Sequence, residues 1–127
     1  MSALLLFGLV HASFLALFVG ALFRLEQPTH RLVVLVLVVA ASTGVTAQLF
    51  GIGEYWSVPS FVGKLAANAG ASACPPVGAW LTFSAAARAT PSAVGRSLVS
   101  LVGGAAGIVA APLVGLGLAC SLTGDCL

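Results

Sequence analysis

Four long apolar stretches divide this chain, at residues 3–23, 32–51, 65–87 and 98–120, and every Asp, Glu, Lys and Arg falls outside them. Each stretch reaches the roughly 20 mainly apolar residues that carry a helix across a hydrocarbon core of about 30 Å. The pattern predicts an all-α integral membrane protein: a single transmembrane domain, 1–127, folded as a four-transmembrane-helix bundle with short loops. The first span is interrupted only by His11 and Ser13. It lacks the basic n-region of a secretory signal and is longer than a typical signal core, so it reads as a retained span. The second begins as nearly pure Val and Leu and turns more polar at Ser42, Thr43, Thr46 and Gln48, which predicts protein contact in that half. The third is Ala-rich, with Asn68, Ser72 and the pair Pro75-Pro76. Two adjacent prolines remove two backbone donors, so this helix is expected to be kinked or broken there, with a re-entrant segment as the alternative. Pro112 predicts a milder kink in the fourth. The connections are a polar segment at 24–31 broken by Pro28, a segment at 51–64, and a turn at 89–92. Tyr55 and Trp56 in the second connection are expected at the headgroup level.

Composition agrees with the pattern. Only 6% of the residues are charged and 60% are hydrophobic, whereas a soluble domain is about 25% charged. Four spans leave no room for a folded extramembrane domain, and five scattered basic residues make no nucleic-acid-binding surface. Arg24, Arg31, Arg88 and Arg96 flank the first and third connections, whereas the middle one has Lys64 alone. The positive-inside rule then places both termini on the non-cytoplasmic side.

Small residues recur at every fourth position, hence on one helix face, at Gly8, Ala12, Ala16 and Gly20 and again at Gly103, Gly107, Ala111, Gly115 and Ala119. A third series is Ala66, Gly70, Cys74 and Gly78. Such faces let helix backbones approach closely in lipid. They serve either packing within this bundle or docking onto another subunit. Three of them exceed what one small bundle needs, so some are expected to face partners.

His11 is the one ionisable side chain, cysteine apart, deep within a span, and such residues are functional candidates. Its plainest role is a hydrogen bond to a group at matching depth: Ser42, Thr43, Thr46, Ser72 or Cys74. The alternative is axial ligation of a haem or a chlorophyll-type pigment, or a haem shared with another subunit. His30 lies roughly 28 Å away along a helix axis, so this chain alone offers no second histidine ligand. Cys120 and Cys126 flank a short turn, and a terminal disulfide staple is expected there if that side is oxidising, with free thiols or a pairing that involves Cys74 as the alternatives.

No charged residue lies inside a span, there is no phosphate-binding glycine loop or metal-ligand cluster, and Ser13 faces away from His11. The expectation is therefore a non-enzymatic protein: a small accessory subunit of a larger membrane complex, with a respiratory or photosynthetic one preferred. Its partners would be larger membrane subunits and the bilayer, with bound lipid or pigment in its grooves. The alternatives are a small oligomeric channel or transporter for a neutral solute, and a haem- or pigment-binding anchor using His11.

Overall fold

The computed structural model describes residues 2–50 and 61–123, and there the chain forms four helices and no strand. They are α1 (Ala3–Arg24), α2 (Pro28–Phe50), α3 (Phe61–Ala89) and α4 (Ala93–Thr123). Tyr55 and Trp56 lie outside the described residues, so their expected place at the headgroup level has no structural counterpart here.

The helices outrun the apolar stretches because caps, not polarity, end them. Ser2 caps α1, its Oγ accepting from the Leu5 N–H at 3.4 Å. Pro28 is the first residue of α2, where its missing N–H costs nothing and its fixed φ suits the helix. The first connection therefore shrinks to 25–27, and Pro28 starts a helix where a break in a longer loop was expected. Ser92 Oγ accepts from the Gly95 N–H at 3.1 Å and sets the start of α4. The turn at 90–92 agrees with expectation, Pro91 stopping α3.

α3 is continuous through Pro75 and Pro76, and α4 through Pro112. The break expected at the double proline is absent. Helices in lipid tolerate proline where neighbours and local adjustment re-satisfy the freed carbonyls, and Pro75 and Pro76 are both buried here.

α1, α2 and α4 are each long and apolar enough to cross a membrane. α3 falls short on hydropathy yet touches all three of the others, while α2 and α4 do not meet. One core joins Leu15, Phe18, Val19 and Leu22 of α1 to Ala79 and Phe83 of α3, with Val34, Leu35 and Val38 of α2 packed against it. A second joins Ala67 and Ala71 of α3 to Ala111 and Ala119 of α4. Large apolar side chains such as Leu17, Leu37, Leu81, Val109 and Leu113 point outward. That surface suits a lipid solvent and would be a liability in water.

Candidate functional site

The α3–α4 seam is the tightest part of the molecule. A Cβ added to Gly78 would lie 2.5 Å from the Gly103 carbonyl oxygen, and one on Gly103 would lie 2.7 Å from the Gly78 oxygen. At Gly107 it would meet the backbone of Cys74 and Pro75, 2.7 Å from Pro75 Cα. Real Cβ atoms essentially never come so close, and backbone cannot step aside as a side-chain tip can. Ala111 is fully buried, Gly115 is buried, and Ala119 is 6% exposed. On α4, Gly103 and Gly107 thus lie against Gly78, Cys74 and Pro75 of α3, while Ala111 and Ala119 join Ala67 and Ala71 in the second core. Of the two uses expected for such a face, Gly103, Gly107, Ala111 and Gly115 show packing within the bundle here.

The α1 series has the opposite fate. Ala12, Ala16 and Gly20 are exposed, Gly8 is half-buried, and a Cβ on Gly8 or Gly20 would meet nothing within 4 Å. α1 turns its large residues Leu15, Phe18 and Leu22 inward and leaves this small-residue strip open.

His11 sits in the core at 1% exposure. Its Nδ1 lies 2.9 Å from the Phe7 carbonyl oxygen and its Nε2 3.4 Å from Ser72 Oγ. A carbonyl only accepts, so Nδ1–H donates to Phe7, and in the neutral ring the Nε2 lone pair accepts from the Ser72 hydroxyl. The Phe7 ring lies against the imidazole, centroids 4.0 Å apart. This is the cross-helix hydrogen bond that the matching depths predicted, with Ser72 chosen from the five candidates. Both ring nitrogens are engaged here, so axial ligation of a haem or pigment would require the imidazole to give up its contact with Ser72.

Of the remaining polar core, Ser42, Thr43 and Thr46 are satisfied by their own helix, whereas Ser100 Oγ is buried without a hydrogen-bond partner. Ser42 and Thr43 donate to Val39 O, and Thr46 donates to the carbonyl oxygens of Ser42 and Thr43. Ser72 is the one of these side chains that reaches another helix. Ser13 is exposed and donates to Leu9 O, turned away from His11. Among the described residues no cluster of His, Cys, Asp and Glu could hold a metal ion. Cys74 donates to Gly70 O at 3.2 Å. Cys126 lies outside the described residues, so the staple with Cys120 has no geometry to judge.

Comparison with models of protein families, with curated proteins and with solved structures found no match to this chain. Its function rests on its own geometry.

Proposed function

We propose that this chain is a small non-catalytic subunit of a larger membrane complex, spanning the bilayer four times and docking through α1. One observation carries the reading: of the two four-residue-spaced series on α1 and α4, the α4 one is filled from within, while that at Gly8, Ala12, Ala16 and Gly20 faces outward with open space above it. Lipid tails gain nothing from a flat Gly/Ala strip, whereas a second helix gains close backbone contact there. A respiratory or photosynthetic complex remains the preferred setting, since such assemblies hold many subunits of this kind.

In the proposed topology α3 is the fourth span. Its lower hydropathy reflects its many Ala, Gly and Ser residues, and Gly78 with the Cys74 and Pro75 backbone lies in close contact with α4, where small residues let backbones approach. The end bearing Arg24, Arg31, Arg88 and Arg96 faces the cytoplasm and both termini lie on the other side. The channel alternative draws less support, because Ser42, Thr43, Thr46 and Ser72 are buried and hydrogen-bonded within the bundle.

The test is a substitution at Gly20. Gly20→Leu, on the open face, should leave the isolated chain within about 0.5 kcal/mol of the wild type, as surface substitutions usually do, and should abolish co-purification with its complex. Normal incorporation of that variant would defeat the docking role of α1.

A further inference from the structure

Arg31 and Arg96 occupy matching positions that are electrically unfavourable. Each is the fourth residue of its helix, α2 from Pro28 and α4 from Ala93, and neither helix has an acid in its first turn. A helix N-terminus carries partial positive charge, so it attracts anions and repels cations. Arg24 and Arg88, by contrast, sit in the last turns of α1 and α3, where a cation is stabilised. Both misplaced guanidiniums reach Phe83, a 5% exposed ring near the end of α3. The guanidinium carbon of Arg31 lies 5.2 Å from its centroid and that of Arg96 5.8 Å. Two like charges are thus drawn together from helices that do not otherwise meet. The ring attracts each cation, but the one acid among the described residues, Glu26, is exposed and forms a salt bridge with neither.

The hydroxyls beside Arg96 also differ from the others in the chain. Ser13, Ser42, Thr43, Thr46, Thr82 and Ser121 each donate to a carbonyl three or four residues back on their own helix. Ser97 and Ser100 do not use that acceptor, although every helical serine has it within reach. Their Oγ atoms, with Arg96 Nε, are buried without a hydrogen-bond partner, and Ser100 is fully buried one turn from Arg96. One turn further, a Cβ on Gly104 would strike the Leu15 side chain of α1, so this face of α4 looks into the bundle. Buried donors without an acceptor are rare in folded proteins, and an ion or a water is the usual partner. A water would satisfy the serines and leave the two charges uncompensated.

We propose that a phosphate-type oxyanion from the aqueous phase binds at this end of the bundle, between the N-termini of α2 and α4, on Arg31, Arg96 and Ser97. Each part favours an anion with several acceptor oxygens. Guanidiniums present forked N–H donors, a serine hydroxyl adds one more, and helix N-termini add a positive field. The bound anion ties α2 to α4, which have no contact of their own. The ring and the buried donors lie inside the bundle, whereas a phospholipid headgroup stays at the perimeter beside its acyl chains. The site therefore suits free phosphate or a phosphorylated solute.

The test uses the full chain purified in neutral detergent without phosphate. Isothermal titration with inorganic phosphate and with sulfate, at an ionic strength held constant with chloride, should show saturable binding accompanied by a rise in Tm. Thermal shift with phosphatidylglycerol, in place of phosphate, tests a lipid source for the same chemistry. Phosphate and sulfate strengthen apolar burial in any protein, so the variants separate that effect from a site. Arg31→Gln with Arg96→Gln should abolish saturable binding and its share of the Tm rise, and Arg88→Gln should keep both. Ser97→Ala should weaken binding about tenfold, as loss of a hydrogen bond to a charged group does. Absence of saturable binding, or a Tm rise undiminished in the double variant, would overturn the proposal. Stabilisation by phosphatidylglycerol but not by phosphate would overturn it too, since the anion would then be a headgroup. If the double variant does not fold, Ser97→Ala decides beside Arg88→Gln, and equal affinity in the two would sink the site.

Discussion

At Gly107 there is no room for one more carbon, because the backbone of Cys74 and Pro75 fills the space a Cβ would take. Gly107→Leu should therefore damage the isolated chain before any question of assembly arises. Overpacking costs about 1–3 kcal/mol, more where backbone must move; thermal unfolding in detergent should show a clear fall in Tm, with Gly20→Leu unchanged beside it. His11 makes a smaller contribution. Cross-helix hydrogen bonds in membranes average about 0.6 kcal/mol, so a double-mutant cycle over His11→Ala and Ser72→Ala should give a coupling of that order. A coupling indistinguishable from zero would mean that the pair does not interact. Both residues were legible as candidates, His11 from its depth and Ser72 from its matching one. What periodicity could not say was which face of each helix turned inward. The same spacing describes the Gly8 and Gly103 series, and only the large residues between them, such as Leu15, Phe18 and Leu22 against the open strip, separate buried from exposed.

Among the elements, α3 departs furthest from its sequence reading. Two prolines suggested a kink or a break; the helix is unbroken over 29 residues, about 43 Å. α3 packs on three helices, and the Gly107 backbone lies against Cys74 and Pro75. Helix ends and the ends of the apolar stretches do not coincide. Hydropathy marks where lipid ends, whereas Pro28 and Ser92 mark where helices begin, and these are different boundaries. α2 makes the opposite point in part: of the four polar residues expected to contact protein, Ser42, Thr43 and Thr46 are buried, whereas Gln48 is exposed. Ser42 and Thr46 each bond their own helix, so Thr46→Ala should cost little, within about 1 kcal/mol by chemical denaturation in micelles. A loss several times larger would reveal a contact across helices.

For the whole molecule, burial of apolar surface cannot be the force that joins these helices, since lipid is as apolar as Leu. Close packing does that work, and it is spent unevenly: the α3–α4 seam is filled, while the α1 strip is not. The arginine cluster on Phe83 escaped sequence reading because Arg31 and Arg96 served there only to orient the chain, and nothing in their spacing foretold a shared ring. The central claim is that the open α1 strip seats another membrane subunit. The direct test is mild-detergent purification of the tagged chain from its native membrane, with mass spectrometry of everything retained, run in parallel on Gly20→Leu. Stoichiometric recovery of larger membrane subunits with the wild type, and their loss with Gly20→Leu, is the predicted result. Recovery of the wild-type chain alone, as a monomer or a defined homo-oligomer, would contradict it.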